Sequence, residues 1–345
     1  MVDVDSGIGA PARGLQTPRY ALAAAEPITQ DRVMSQTPAA LTSSAGLVPF
    51  THVGWGFGHR EQFWAQAAQY ILEGLGHNQR IEFVADGSRE QLHAELANLP
   101  GLSERIRVSG IGVTPIAQFY GVLPGTQVMD PGLAVATCVA AVDKATEDGY
   151  SGLRVVVDAT ALARAHRQRD ALARFEFLVS QQMAVLPFSS LCAYDRGQLG
   201  DAGAEELICL HPQAGPQPPR LRFHPVPGGS FALSGDIDAA SDALYTATLH
   251  RIWSLTDDDP VTIDASDLEF ITHRQLCTLD DCARTDGRRV IVRTHQPIPA
   301  RLAGLLNLSN VDVAALPQAD ANTEPTPQPL ERPHLTFSTA LNQHA

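Results

Sequence analysis

The chain contains 345 residues, of which 44% are hydrophobic and 18% are charged, a composition typical of globular domains. Its formal net charge of -13 argues against nucleic acid as a partner, because non-specific affinity for nucleic acid comes from Lys and Arg side chains that neutralise phosphates. The five cysteines are scattered and form no Cys-x-x-Cys pair, so the sequence indicates neither a disulfide framework nor a zinc site, and a reducing cytosol fits best.

The organisation of the chain follows from its two ends and one proline-rich stretch. Residues 1–45 and 317–345 are rich in Ala, Pro, Thr, Ser and Gln, which predicts disorder at both ends. The prolines before Leu221 predict an interdomain linker at 213–219, which leaves one domain at 46–212 and another at 220–316. No run of about eighteen apolar residues occurs, so we expect a cytoplasmic protein without a membrane segment.

The first domain alternates helical apolar stripes with short apolar runs. Phe63, Ala67, Ile71 and Leu75 are spaced four apart, which predicts the buried face of a helix that begins near Arg60. Further strands are predicted at 81–85, 153–157 and 188–194, and further helices at about 88–99, 130–149 and 172–183. This alternation predicts a predominantly parallel α/β sandwich.

Polar side chains at the ends of these strands are the candidate ligand contacts. His52, Tyr194 and Asp195 end candidate strands, and together with Trp55 they are predicted to line one apolar pocket with a few polar groups. Asp158 ends a buried strand, where open α/β sheets place ligand groups. The alternatives are a cap for the following turn at Asp158 and a separate structural role for each of the others.

The glycine-rich segment 54–58 lies between a predicted strand and the first helix. Its N–H groups could bind phosphate or another small anion, but we interpret the segment as a flexible loop. No G-x-x-x-x-G-K-[ST] motif is present, so ATP hydrolysis is not expected. His52, His59, His77 and His93 lack the spacing of metal ligands, and we therefore predict neither a metal nor a cofactor.

Three parts of the first domain resemble a known family. They are Thr-His-Val at 51–53 with Ile-Leu-Glu-Gly-Leu at 71–75, Gly-Tyr-Ser-Gly-Leu-Arg-Val-Val-Val-Asp at 149–158, and Leu-Cys-Ala-Tyr-Asp-Arg at 191–196 with His-Pro at 211–212. This set resembles the MEDS domain, a sensory domain of methanogens and methylotrophs. The resemblance implies a RecA-type fold without its phosphate loop and a role in sensing. Acidic or polar residues are usual in the family where this chain has its glycine-rich segment.

The second domain predicts the element order β-β-α-β-α-β-α-β. Strands are predicted at 221–226, 230–235, 261–265 and 289–293, and helices around 244–255, 273–285 and 302–306. Two motifs accompany this order, Gly-Asp-Ile-Asp at 235–238 and Val-Thr-Ile-Asp-Ala-Ser-Asp-Leu-Glu-Phe-Ile-Thr-His-Arg-Gln-Leu at 261–276. Order and motifs together resemble the STAS domain of anti-sigma-factor antagonists. The resemblance implies regulated binding of an anti-sigma factor or a Ser/Thr kinase of the anti-sigma type.

The STAS resemblance departs from the family at its phosphoacceptor turn. Aligned with the family pattern, Thr272, His273 and Arg274 replace an Asp-Ser-Ser sequence, and a guanidinium cannot accept a phosphate. A switch that adds about two negative charges therefore cannot operate at this position, although Thr272 and Thr278 stay open as acceptors. The partner surface implied by the resemblance consists of Asp236, Ile237, Asp238, Thr272, His273 and Arg274. Either a family kinase is excluded by the cation, or the partner presents an acidic patch.

These patterns predict a cytosolic signal-transduction regulator that senses a small molecule through the first domain and binds a protein through the second. One alternative is a scaffold that forms homo-oligomers through both domains without sensing a ligand. Another is an enzyme that uses Asp158 or Glu176 as the acid–base and His52 as its partner. No Ser-His-Asp or Cys-His signature joins these residues, so we expect no enzymatic activity.

Overall fold

The computed structural model describes residues 51–99, 111–122, 125, 127–227 and 229–317. The ends for which disorder is predicted, 1–45 and 318–345, lie outside these residues. The strands are β1 His52–Phe57, β2 Arg80–Ala85, β3 Gly112–Pro115, β4 Leu153–Asp158, β5 Phe188–Asp195, β6 Gln213–Ala214, β7 Leu221–Val226, β8 Gly229–Ile237, β9 Val261–Asp264, β10 Leu268–Ile271, β11 Val290–Thr294 and β12 Val311–Ala315. The helices are α1 Arg60–Gly76, α2 Arg89–Ala97, α3 Ile116–Phe119, α4 Pro131–Glu147, α5 His166–Met183, α6 Arg196–Ile208, α7 Asp242–Trp253, α8 His273–Asp286 and α9 Pro297–Leu306. In none of the described helices do length and apolar character suffice to span a bilayer.

The first sheet has six strands in the order β3-β2-β4-β5-β1-β6, and every pairing is parallel. The predicted parallel α/β architecture is therefore confirmed. One apolar core lies between the sheet and α1 with α2, and a second core lies on the opposite face against α4, α5 and α6. The predicted stripe of α1 faces the first of these cores, with Phe63, Ala67 and Ile71 fully buried.

The glycine-rich segment 54–58 is not the loop that the sequence predicted. Residues 54–57 belong to β1, which lies between β5 and β6. Glycine is required on the face of this strand that turns towards α5 and α6. A Cβ on Gly54 would lie 2.6 Å from Nδ1 of His211, and a Cβ on Gly56 would lie 2.4 Å from Nε of Arg196. The glycines therefore serve close packing inside the sheet.

The anion-site alternative for this segment concerns the N–H groups just after β1. Gly58 N donates to Gln62 Oε1 at 3.0 Å, and His59 N donates to the same oxygen at 3.3 Å. These N–H groups therefore already have an acceptor, supplied by the first turn of α1.

The second sheet is mixed, with the order β10-β8-β9-β11-β12 and with β7 antiparallel to β8. The other pairings in this sheet are parallel. Its elements follow the predicted order β-β-α-β-α-β-α-β, with the short strand β10 added directly before α8. The hydrophobic periodicity of residues 220–316 was therefore sufficient to predict the elements of this region.

The region predicted as a linker connects two tightly joined parts of the molecule. Gln213–Ala214 forms β6 and extends the first sheet, and only the residues after it bridge to β7. One buried apolar cluster continues from α5 and α6 into β7 and α7, and it includes Phe175, Leu207, Phe223 and Tyr245. The two sheets therefore share a hydrophobic core.

Polar contacts reinforce this junction. Arg251 on α7 donates from Nε to Asp170 Oδ1 on α5 at 2.7 Å and from Nη2 to Glu206 Oε2 on α6 at 2.8 Å. The backbone N–H of Phe223 donates to the carbonyl of Cys209 at 2.7 Å. The side chain of Arg251 is only 11% exposed, so these ion pairs are largely shielded from solvent.

The half-buried His224 on β7 predicts a pH dependence of stability. Burial lowers the pKa of His224 to about 4, whereas the pKa of histidine in an unfolded chain is about 6.5. Between these values the unfolded chain binds the proton more tightly, so the free energy of unfolding falls as the pH drops from about 6.5 to about 4. Because the ring is partly exposed, we expect His224 to contribute roughly 1–2 kcal/mol of this loss.

Urea unfolding across this pH range tests the prediction. His224→Gln should flatten the dependence by that amount, whereas His250→Gln at an exposed position of α7 should not. Equal slopes for the wild type and His224→Gln would show that His224 does not titrate in this window.

Candidate functional site

Four side chains that can bind a metal converge beneath the first sheet. They are His52 at the start of β1, Glu176 on α5, Cys192 on β5 and His211 just after α6. One ligand atom from each lies within 4.8 Å of the others. All four residues are at most 3% exposed. We call these four residues the buried cluster.

The parallel register and the helix period bring the buried cluster together. Gly54 pairs with Cys192, so His52 and Cys192 occupy the same face of adjacent strands, because side chains alternate along a strand. Glu176 and Ser180 are one helical turn apart on α5 and both point at this face. Gly54 has no side chain, which leaves room for the ring of His211.

The ligand atoms are at short mutual distances. Glu176 Oε2 lies 3.2 Å from His52 Nε2 and 3.5 Å from His211 Nε2. Cys192 Sγ lies 3.4 Å from His52 Nε2 and 3.8 Å from Glu176 Oε2. The other carboxylate oxygen, Glu176 Oε1, accepts a hydrogen bond from the Tyr194 hydroxyl at 2.8 Å. Glu176 is therefore the centre of the arrangement.

Hydrogen bonds on the outer side hold both imidazole rings. His52 Nδ1 lies 2.6 Å from Ser180 Oγ, and His211 Nδ1 lies 3.0 Å from the carbonyl oxygen of Leu207. A carbonyl oxygen only accepts, so Nδ1 of His211 carries a hydrogen. His211 Nε2 is buried and has no hydrogen-bond partner among the described residues. Both Nε2 atoms thus face the interior of the buried cluster.

The environment separates the protonation states of the buried cluster. Burial acts to raise the pKa of Glu176, but hydrogen bonds from His211 and His52 outweigh it and lower the pKa overall. Burial, and then the neighbouring His211, lower the pKa of His52 to about 4. Burial, and then Glu176, raise the pKa of Cys192 well above its usual range. At neutral pH the protein groups alone therefore give an ionised carboxylate beside a neutral His52 and a protonated thiol.

Comparison with known families places the buried cluster within one domain. Residues 51–212 match the model of the MEDS family, described as "MEthanogen/methylotroph, DcmR Sensory domain". Residues 51–212 are a MEDS domain. All four residues of the buried cluster lie inside this range, and His52, Cys192 and His211 lie in the segments that carry the resemblance. The same comparison gives no support for a STAS domain in the C-terminal region.

Two further comparisons concern the whole chain. No curated protein matches it. The crystal structure of a KaiC-like protein from the hyperthermophilic archaeon Pyrococcus horikoshii is similar over 55% of this chain and 80% of that chain, with 16% sequence identity and a TM-score of 0.35. At that score the likeness adds no argument to the topology described above.

The residues predicted to line one pocket of the MEDS domain do not all come together. His52 and Tyr194 meet at Glu176, on the face of the sheet that packs against α5. Trp55 is an odd number of residues from His52 and lies on the opposite face, where its ring centroid is 5.8 Å from that of Phe57. The predicted pocket is thus divided between the two faces of the sheet.

Two other predicted ligand residues of the MEDS domain act as caps at the carboxyl edge of the sheet. Asp158 accepts a hydrogen bond from Thr160 N at 3.2 Å and forms an ion pair with Arg60, so the cap considered as its alternative role is present. Asp195 accepts from Gly197 N at 2.8 Å and begins α6. Both carboxylates are already occupied by partners in the chain.

Sequence reasoning missed Cys192 and His211 and considered Glu176 only as a catalytic alternative. Spacing rules search for ligands that are close in sequence, whereas these ligands come from four separate segments. The period-two pattern of Ser190, Cys192 and Tyr194 on a predicted strand was the signal that could have placed these side chains on one face.

The predicted partner surface of the C-terminal domain forms at the start of α8. Strand β10 leads into α8 as expected, and Thr272 caps the helix by accepting from Arg274 N at 3.3 Å. Gln275 Nε2 donates to the carbonyl of Asp238 at 3.2 Å, which joins this helix start to the turn after β8. The side chain of Arg274 is 70% exposed, with Nη1 3.6 Å from Asp242 Oδ2.

Ile237 departs from the predicted surface. It is fully buried, because β8 alternates and places the side chains of Asp236 and Asp238 outside while that of Ile237 enters the core. It therefore stabilises the turn and offers no surface to a partner.

Proposed function

We propose that the protein is a signal-transduction regulator whose MEDS domain senses an effector and whose C-terminal domain passes the signal to a protein partner. The match of residues 51–212 to a sensory-domain family is the observation that carries this proposal. The STAS resemblance of residues 235–238 and 261–276, together with the observed element order, supports protein binding as the role of the C-terminal domain.

The contacts between the two parts of the chain support transmission of a signal. Helix α5 carries Glu176 of the buried cluster and packs against β7. The same helix carries Asp170, which binds Arg251 on α7. The segment that ends at His211 holds the Cys209 carbonyl, to which Phe223 N donates. A shift of α5 or of this segment would therefore act directly on the C-terminal domain.

A cleft at the junction offers one place for an effector. Its volume is about 400 Å³, and charged side chains of both parts line it. The lining consists of Pro131, Asp170, Ala171, Arg174, His250 and Arg251. Clefts between domains are common binding sites, and occupation of this one would bias the contacts of Arg251. Its charges suit a small polar molecule.

The partner proposed for the C-terminal domain is an anti-sigma factor or a Ser/Thr kinase of the anti-sigma type with an acidic docking face. Arg274 and His273 are exposed at the N-terminus of α8, where the helix dipole adds partial positive charge. Phe270 is 43% exposed beside them and adds apolar contact area. A cation flanked by an exposed aromatic ring is typical of a protein-binding surface.

The buried cluster argues against the enzyme alternative. Its four residues have almost no exposed surface, so a substrate cannot reach His52 or Glu176 in the described fold. The raised pKa of Cys192 keeps its thiol protonated, which removes a thiolate nucleophile. We therefore propose a regulator without catalytic activity.

Affinity capture with the full-length chain tests the partner surface. The wild type should retain an anti-sigma factor or a kinase of that type, and Arg274→Glu should weaken binding by at least about tenfold, because like charges across an interface are costly. The matched control is Arg301→Glu, which reverses an exposed cation on α9 and should bind as the wild type does. Equal binding by both variants would contradict the surface, and a homo-oligomer that binds neither class of protein would favour the scaffold alternative.

A further inference from the structure

We propose that His52, Glu176, Cys192 and His211 bind one divalent ion of the zinc class in a closed site inside the MEDS domain. The four side chains supply two imidazole nitrogens, one carboxylate oxygen and one sulfur. This is the donor set that zinc takes in proteins, usually with four ligands in a tetrahedron. The site is independent of the partner surface and of the effector cleft proposed above.

The distances fit a tetrahedral ion. With metal–ligand bonds of about 2.0–2.3 Å, the ligand atoms of a tetrahedral site lie roughly 3.3–3.6 Å from one another. Glu176 Oε2 lies 3.2 Å from His52 Nε2 and 3.5 Å from His211 Nε2. Cys192 Sγ lies 3.4 Å from His52 Nε2 and 3.8 Å from Glu176 Oε2. The contacts to sulfur are the longer ones from each shared atom, as its larger radius requires.

The surrounding hydrogen bonds orient every ligand inward. The Leu207 carbonyl fixes the hydrogen of His211 on Nδ1, so the lone pair of a neutral His211 is on Nε2. Ser180 Oγ holds His52 in the same way through Nδ1, and Tyr194 occupies Glu176 Oε1 and leaves Oε2 for the centre. Partners of this kind orient the ligands of known metal sites.

A cation resolves a conflict that the protein groups leave open. The unprotonated Nε2 of a neutral His211 and Oε2 of Glu176 are both acceptors, yet they face each other at 3.5 Å in a buried space. Nε2 of His211 has no hydrogen-bond partner in the part of the chain that the structure describes. An ion between them would satisfy both atoms. The competing arrangement is a second proton on His211, which gives a buried ion pair without metal.

The burial of the cluster indicates a structural ion. All four positions of the tetrahedron are taken by protein atoms, which leaves no position for a water or substrate. The ligands join β1, α5, β5 and the segment after α6, so the ion would cross-link four parts of the domain that are distant in sequence.

Metal analysis of the full-length protein tests the site. After expression with added zinc, we expect about one zinc per chain, and removal by a chelator should lower Tm by at least about 5 °C, with recovery when zinc is restored. Cobalt in place of zinc should give a thiolate-to-metal charge-transfer band. Cys192→Ala should lose the band and most of the metal. The matched control is Cys138→Ala, which removes another buried thiol outside the cluster and should keep both.

The outcomes separate the ion from the proton-only arrangement. Wild-type protein that takes up no zinc and whose Tm ignores both chelator and zinc would overturn the site, as would Cys192→Ala with unchanged metal content and band. If Cys192→Ala does not fold, Cys277→Ser combined with Cys282→Ser decides instead, because these remove the two partly exposed thiols and should leave the cobalt band intact. Loss of the band in that double variant would place the metal elsewhere. Binding to the partner through Arg274 is measured separately, so either proposal can fail without the other.

Discussion

Glu176→Ala should lower the free energy of unfolding by about 3–5 kcal/mol, the largest effect we expect from one substitution in the MEDS domain. The substitution removes the carboxylate that His52, His211 and Tyr194 all contact, and it leaves these polar groups buried without their partner. It also deletes one ligand of the proposed ion. Urea unfolding of the full-length protein measures the effect.

The control for this substitution is Glu147→Ala. Glu147 is an exposed carboxylate at the end of α4, and its loss should change the free energy of unfolding by less than about 0.5 kcal/mol. A loss below about 1 kcal/mol for Glu176→Ala would mean that the histidines and Tyr194 find other partners, and the described network would then not be the one that holds the domain.

Arg251→Ala should cost about 2–4 kcal/mol and should weaken the junction between the two sheets. Its guanidinium donates to Asp170 on α5 and Glu206 on α6, and removing it leaves two partly buried carboxylates without this cation. Tryptophan fluorescence and far-UV circular dichroism should give coincident unfolding transitions for the wild type and separate ones for the variant, because the shared core alone would then join the two parts.

Arg284→Ala is the matched control for the junction. Arg284 forms an exposed ion pair with Asp281 three residues away on α8, and such pairs contribute little to stability. Coincident transitions with an unchanged midpoint for Arg251→Ala would show that its ion pairs do not hold the two parts together.

Local patterns were sufficient to predict the elements of this chain. The four-residue spacing of Phe63, Ala67 and Ile71 predicted the buried face of α1, and the apolar run at 153–157 predicted a strand inside a parallel sheet. Both signals depend on neighbours within a few residues. The same kind of signal failed at 54–58, because the reason for its glycines is the ring of His211 and the side chain of Arg196, which are distant in sequence.

The buried cluster was beyond such patterns for the same physical reason. His52, Glu176, Cys192 and His211 become neighbours only through the parallel pairing of β1 with β5 and the packing of α5 beneath them. Sequence spacing therefore led to the expectation that no metal is bound. The partner turn was more accessible, since a short motif encodes it, although the burial of Ile237 depended on the register of β8.

Hydrogen–deuterium exchange of the full-length wild type and of Glu176→Gln tests most directly whether the sensory and C-terminal parts act as one unit. Glutamine keeps the size of the side chain and removes its charge. Coupling through α5 and the segment before His211 predicts faster exchange in α7 and in the turn after β8, as well as around the buried cluster. Faster exchange confined to residues 51–212, with α7 and that turn unchanged, would contradict transmission between the two parts.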